Sequence, residues 1–344
     1  MGQGGSSREA WKAMVLRSMP PPAWLSAPGP NSDVAISTRV RLARNLVGHR
    51  FPNHAGADEL REIGRKVREV AEKIPLEVIR RITEAEREYL IGCRMISPDY
   101  KTEEPGRMLL ANTPRSISIM VNEEDHLRLQ SLHAGWDLMQ CHEEMDQLMT
   151  EFEKGLQFAK SDEHGYLTSS PYNMGSGIRI SAMFHLVALA HTKKINSVLK
   201  ALTNSGLTAR GLYGETSRAI GAFFQVSSIK PDLARFRGAC EYLLEEERKA
   251  RQSCDDKELS ALAHEAVRFA VTSKELSQVD AFRVLAWVRW LATRGRPDLQ
   301  LSVQDIDRLL STLEVRAVDE NASAAKDRAV TLRNRLEHLL GFSQ

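Results

Sequence analysis

The sequence predicts an α+β domain over residues 34–256, followed by a small all-α domain over residues 257–344. Three observations carry this. Strand-like alternation recurs up to about residue 235, interleaved with helical periodicity. Beyond that point no strand pattern survives. Residues 1–33 are rich in Pro, Gly and Ser, including Pro20-Pro21-Pro22 and Pro28-Gly29-Pro30, and form an irregular lead-in.

The first element is a strand through Ile36-Ser37-Thr38-Arg39-Val40-Arg41-Leu42-Ala43-Arg44-Asn45. Residues two apart on a strand share a face, so Arg39 and Arg41 form a two-pronged cationic fork. A guanidinium keeps its proton and suits phosphate oxygens. The fork therefore reads either as a polyanion clamp or as a solvated strand face.

Residues 57–75 form a helix with Leu60, Ile63, Val67 and Val70 on one stripe. Residues 116–121 alternate as a half-buried strand and run into Asn122-Glu123-Glu124-Asp125-His126, after which a helix is expected around Arg128. Gly165 to Ser169 reads as a strand entering the loop Ser170-Pro171-Tyr172-Asn173-Met174-Gly175-Ser176-Gly177. A helix is expected to follow through Ala182, Leu186 and Leu189. Another strand-to-loop passage lies at 207–215. Helices then follow at 239–253, 258–273, 279–293, 303–315 and 325–340, with capping boxes at Ser277/Asp280 and Ser302/Asp305.

Composition narrows the function. A formal net charge of +2 provides no global basic field, so nucleic acid is not an expected partner. No apolar run approaches membrane-spanning length, and the first residues lack the apolar core of a secretory signal. Cys93, Cys141, Cys240 and Cys254 are scattered without metal or disulfide spacing, which points to a reducing cytoplasm. Met1-Gly2-Gln3-Gly4-Gly5-Ser6 reads as a flexible tail.

Several motifs fail on inspection. Gly175-Ser176-Gly177 lacks the third glycine of a dinucleotide fingerprint, and no P-loop or protein-kinase signature is present. His142-Glu143-Glu144-Met145-Asp146 misses the second histidine of a zinc helix. What remains is a dispersed set of arginines beside turns: Arg39, Arg41, Arg128, Arg179 and Arg210. Glu124 and Glu215 lie in the same neighbourhoods. Arginines that neutralise phosphate charge, with carboxylates that hold a cationic acceptor, suit phosphoryl transfer from a nucleotide.

Four ordered segments, Ser37 to Asn45, Asn122 to Arg128, Ser169 to Arg179 and Arg210 to Glu215, resemble the ATP:guanido phosphotransferases over roughly residues 34–256. Within that family the likeness is to the bacterial protein-arginine kinases. Arginine and creatine kinases carry a helical domain of about a hundred residues before the first motif. Here 36 residues precede Ser37.

The resemblance implies an antiparallel sheet flanked by helices, with an all-α C-terminal domain for substrate docking, regulation or dimerisation. It assigns the ATP phosphates to Arg39, Arg41, Arg128, Arg179 and Arg210, and the acceptor guanidinium to Glu124 and Glu215. Further nucleotide-site candidates are Ser37, Thr38, Arg94, Ile180, Ser181, Ala182, Met183, Gly211, Leu212, Tyr213 and Gly214. Mg2+ is expected to bridge phosphate oxygens without protein side-chain ligands.

The implied reaction is reversible transfer of the γ-phosphoryl group to a guanidino nitrogen of arginine in proteins. The implied partners are proteins with exposed arginines, an activator protein, proteolytic machinery and a second copy of the chain. The alternatives are a small-molecule guanidino kinase and a non-catalytic nucleotide or phosphoarginine reader.

Three positions depart from the pattern. Ser170 stands where the family has a cysteine, which removes a thiolate beside the guanidinium. Arg94 stands where the bacterial enzymes tend to carry a histidine. The stretch Ala324-Ala325-Lys326-Asp327-Arg328-Ala329 keeps only half of a phosphoarginine-binding motif, so Arg328, Arg333 and Arg335 are expected on a solvated helix face.

Overall fold

The computed structural model describes residues 19–79, 82–101, 103–211, 219–228, 232–294, 300–313 and 322–342. Ten strands are assigned among them: β1 (Ala35–Arg44), β2 (Glu77–Ile79), β3 (Met108–Ala111), β4 (Ile117–Val121), β5 (Leu127–Ala134), β6 (Lys160–Ser161), β7 (Gly165–Tyr166), β8 (Ile178–His185), β9 (Leu207–Gly211) and β10 (Phe223–Ser228). Eight make one antiparallel sheet in the order β2-β3-β4-β5-β1-β8-β10-β9, and β6 pairs with β7.

The helices are α1 (Ala57–Ala71), α2 (Glu84–Gly92), α3 (Leu138–Glu153), α4 (Val187–His191), α5 (Ile195–Asn204), α6 (Leu233–Ser253), α7 (Asp256–Thr272), α8 (Gln278–Ala292), α9 (Val303–Leu313) and α10 (Ala322–Leu336). The reciprocal Ser302/Asp305 box opens α9, and the Ser277 hydroxyl accepts from the Asp280 amide at the start of α8. The described N-terminal lead-in contains one 3-10 turn, Ala23–Leu25, and the tail at residues 1–6 lies outside the described residues.

Two expected helices are strands. Leu127 and Leu129, two apart, fit a strand, and Leu129 and Leu132, three apart, fit a helix, but Asn122 adopts φ 54 and closes a tight turn that returns the chain beside β4. Arg128 therefore sits on β5, not on a helix. Likewise the i, i+4, i+7 spacing of Ala182, Leu186 and Leu189 masks the alternation Ile180, Ala182, Phe184. That alternation buries one face of β8 before a single short helix, α4, begins at Val187.

The two sheet faces have different jobs. Val40, Leu42, Ile119, Leu129, Ile180, Phe184 and Val226 face a core closed by α1, α3, α4, α5 and α6. The other face is divided. Towards one end it carries Leu109, Met120, Leu132, Met183 and Phe223, which share a second core with α2 and with α7 to α10. The C-terminal helices thus share this core with the sheet, and α7 and α8 close a further small one with Val187 of α4. Towards the other end the face is left to polar side chains.

Buried charge fastens this junction. Arg289, fully buried on α8, pairs with Asp307 at 2.8 Å and donates to the Ser32 carbonyl at 3.0 Å, which ties α8 and α9 to the segment before β1. Glu247 on α6 accepts from the first amides of α4, Ala188 at 3.1 Å and Leu189 at 3.0 Å. Burial pushes its carboxyl up, against the pull of the neighbouring Arg251 guanidinium.

The expectation for Arg328 is overturned. Arg328 is buried and donates to the Leu276 carbonyl at 2.9 Å, while Arg333 donates to the Val271 and Ser273 carbonyls at 2.8 and 2.6 Å. These guanidinium groups satisfy carbonyls at the C-terminal end of α7 and just beyond it.

Candidate active site

The polar end of the sheet lines an open cavity of about 480 Å³. Its walls include Arg41, Glu124, Arg128, Ser170, Arg179 and Arg210. Register explains the convergence. Arg41 on β1 lies opposite Arg179 on β8, and Arg128 on β5 lies opposite Ala43, two residues along the same face. Thr208 and Arg210 on β9 flank that face across β10, where Ser227 pairs with Thr208. Four arginines from four strands thus point into one cleft. Arg39 shares the face beside Arg41 but does not line the cavity.

Among the described residues the cleft lining carries four arginines and one carboxylate, Glu124. Burial, then the charges of Arg39, Arg179 and Arg128, pull the Arg41 guanidinium well below its ordinary range. Burial, Arg210 and Arg128 lower that of Arg179 as well. Among the described residues the Nε of Arg41 is buried with no hydrogen-bond partner. Such repulsion is relieved by a bound polyanion, and donors already in place stabilise developing charge with little reorganisation.

The acidic turn supplies the opposite pole, and its two glutamates differ in state. Glu123 is buried and accepts from Ser97 at 2.7 Å, Arg128 at 2.5 Å and the Glu124 amide at 2.9 Å. Burial would raise its carboxyl, but the Arg128 charge and these hydrogen bonds bring it below the usual range. Glu124 is half-buried, with Arg128 Nη1 3.8 Å away. Burial raises its carboxyl, the charges of Asp125 and Glu123 add to the rise, and Arg128 offsets it only in part. Glu123 orients Arg128, and Glu124 is left as the more basic group facing the cavity.

The loop holding Ser170 is braced at both ends. Thr168 donates to the Ser170 carbonyl at 2.9 Å, and Ser169 donates through its hydroxyl to the Glu124 carbonyl at 2.7 Å. At the far end Arg44 stacks on Tyr166 at 3.6 Å and donates to the Ser176 carbonyl at 3.0 Å. Gly177 lies against Arg44 and the Ala43 carbonyl with φ +65, a place no side chain fits. The third arginine of the opening motif is therefore a brace for the loop.

The remaining candidates divide by face. Ser37, Ser181 and Met183 share the arginine face. Thr38, Ile180 and Ala182 turn their side chains to the opposite one: Ile180 and Ala182 are apolar core, and Thr38 donates to the Gly135 carbonyl at 2.7 Å. Arg94 adopts φ 61 and reaches Met183 Sδ at 3.1 Å, with its guanidinium 5.6 Å from the Trp24 ring. It sits on the arginine face but outside the cavity lining. Gly211 ends β9. Leu212, Tyr213, Gly214 and Glu215 lie outside the described residues.

Sequence reasoning missed Thr208, Ser227 and Tyr172 in the cavity wall, and Asn45 behind it. Thr208 was accessible from its spacing of two to Arg210. Among the described residues no group of three or more His, Cys, Asp or Glu side chains could hold a metal ion. No helix among them is long and apolar enough to cross a membrane.

Residues 58–231 match the model of the ATP:guanido phosphotransferase C-terminal catalytic domain. The chain is 40% identical over 243 residues to a protein-arginine kinase of Brevibacillus brevis, covering 66% of this chain and 68% of that protein. It is 37% identical over 281 residues to a protein-arginine kinase of Halothermothrix orenii, covering 77% and 80%. In fold it is similar to lombricine kinase, with a TM-score of 0.57 at 19% identity over 72% of this chain and 79% of that one. The duplicated taurocyamine kinase of Schistosoma mansoni, in its complex with transition-state-analogue components, also has a TM-score of 0.57, at 18% identity over 77% and 44%. A family match that spans half the chain and takes in Glu124, Arg128, Ser170, Arg179 and Arg210, on a fold shared with guanidino kinases, settles the affiliation: the chain is a member of the ATP:guanido phosphotransferase family, enzymes that use ATP.

Proposed function

We propose that this enzyme transfers the γ-phosphoryl group of ATP to a guanidino nitrogen of arginine residues in proteins, reversibly with ADP, in the bacterial cytoplasm. The observation that carries the reading is Glu124, a carboxylate of raised basicity, facing the same cleft as Arg41, Arg128, Arg179 and Arg210. The relatives named protein-arginine kinase supply the acceptor class.

A guanidinium is a poor nucleophile because its lone pairs are delocalised and its pKa lies far above neutrality. The arginines hold the phosphate chain and take up charge on the transferring group. Glu124 aligns the acceptor and accepts its proton as the N–P bond forms and the bond to ADP breaks. Glu215 is the second carboxylate of the family motif. Mg2+ would be held by the nucleotide phosphates and would supply charge neutralisation there.

The test is incubation with Mg-ATP and either a casein-like protein or free arginine, followed by mass spectrometry at neutral pH, with Glu124→Gln as control. Phosphate on protein arginines is the expected result. Label on free arginine alone would make it a small-molecule kinase, and no label would make it a reader.

A further inference from the structure

Among the described residues Tyr172 is the most exposed of the large hydrophobic side chains, at 89% relative exposure, yet it lines the cavity that also holds Ser170 and Glu124. Its position is held by the loop backbone. It lies inside the 3-10 turn Pro171–Asn173, in which the Asn173 amide donates to the Ser170 carbonyl at 2.9 Å, and Pro171 restricts the first residue. Braces at Thr168 and Arg44 fix the segment on either side.

Resting on the function proposed above, we infer that Tyr172 is the aromatic wall of the acceptor subsite, which receives the arginine side chain of a polypeptide substrate. The chemistry favours this occupant. The phosphates belong with the arginines, and Glu124 marks the end of the cavity where a cation is wanted. An aromatic ring in the wall of the same cavity attracts a planar guanidinium and packs against the methylenes of its side chain. A guanidinium held by a carboxylate at its edge and a ring at its face is oriented in both respects. Exposure at the mouth leaves the ring accessible to a side chain presented from a protein surface.

The test is direct binding, independent of turnover. An arginine-containing peptide is titrated into the full-length protein in the presence of ADP, with the same peptide carrying citrulline as control. Wild type binds the arginine peptide more tightly than the citrulline one. Tyr172→Ala weakens arginine-peptide binding by roughly two- to fivefold, Tyr172→Phe retains it, and the ADP dissociation constant is the same in all three. Unchanged peptide affinity in Tyr172→Ala overturns the inference even where wild type phosphorylates protein arginines. Weakened ADP binding with intact peptide binding overturns it in favour of a nucleotide contact. Loss of binding in Tyr172→Phe shows that the hydroxyl, not the ring, is the recognising group. If wild type labels no arginine, the parent function fails, while the peptide titration still decides whether Tyr172 recognises a guanidinium.

Discussion

Asn45 donates through Nδ2 to Asp125 Oδ1 at 2.7 Å, and this bond joins the end of the arginine strand to the acidic turn. The same Nδ2 donates to the Leu167 carbonyl at 3.1 Å, while Oδ1 accepts from the His126 amide at 2.9 Å. Asp125 Oδ1 also accepts from the Ser169 amide at 2.7 Å. One buried amide thus sets the distance between Glu124 and the Ser170 loop. Asn45→Ala leaves several buried groups without partners and is expected to cost about 2–3 kcal/mol of stability, read as a lowered denaturation midpoint. At temperatures where the variant is folded, kcat falls while the KM for ATP holds, because the arginines are anchored elsewhere.

Arg41 is expected to tolerate no cationic substitute. Lysine keeps the charge but cannot offer the planar fork that reaches two phosphate oxygens. Arg41→Lys should lower kcat/KM for ATP by roughly 10- to 100-fold, the cost of one or two charge-assisted hydrogen bonds. Steady-state kinetics with saturating acceptor checks this. The KM for acceptor should stay near wild type if Arg41 serves the phosphates, as proposed.

Glu124 and Glu123 predict an asymmetric acid limb. Glu124 must be ionised to take a proton, and its carboxyl is raised, so kcat/KM falls with decreasing pH earlier than an ordinary glutamate would allow. Glu123 is shifted the other way and stays ionised through that range, so Arg128 remains oriented. Glu124→Gln should lower kcat by roughly 10²–10⁴ with nucleotide binding retained. A limb that stays at its wild-type position in an Arg128→Gln variant would rule out Glu124 as the group observed, because losing that cation raises Glu124 further.

Ser170 is neutral near pH 7 in a cleft wall it shares with Glu124. Restoring a thiol there places a second ionisable group beside the acceptor, in a cavity whose arginines favour the thiolate. Ser170→Cys should raise kcat by something of the order of tenfold, about 1.4 kcal/mol of added transition-state stabilisation. An unchanged or lower rate would mean that the serine hydroxyl already does what the cysteine does elsewhere.

Much of this site is legible in the sequence because a strand repeats every two residues: Arg39 and Arg41 reveal their common face from spacing alone. Arg179 and Arg210 announce themselves beside glycines, where the chain turns or a sheet edge ends. Arg128 falls on a strand where a helix is expected, since the leucine pairs 127/129 and 129/132 point to different periods and the left-handed Asn122 decides between them. Asn45 and Arg328 are different cases. Their partners lie 80 and 52 residues away, and nothing local distinguishes a buried arginine capping foreign carbonyls from one on a solvated face. Long-range polar satisfaction leaves no periodic trace.

His126 links pH to the same scaffold. Its Nδ1 accepts from the Leu46 amide at 2.9 Å, so Nε2, 2.9 Å from the Arg50 carbonyl, must carry the proton. The ring is therefore required neutral. Burial lowers its pKa, His49 lowers it further, and the Arg50 carbonyl and the carboxylates of Asp125 and Glu59 pull back only in part. With the folded value below the unfolded 6.5, the unfolded chain binds the extra proton first. The stabilisation is complete above pH 6.5 and drains as pH falls towards the folded value, at up to about 1.4 kcal/mol per pH unit. Urea midpoints of wild type should fall between pH 7.5 and 5.5 more steeply than those of His126→Gln, which carries no titrating ring. Parallel slopes would place the acid sensitivity elsewhere. Because the His126 amide is the donor to Asn45 Oδ1, protonating the ring strains the bond that spaces Glu124 from Ser170, so activity should decline over the same pH range in which stability is lost.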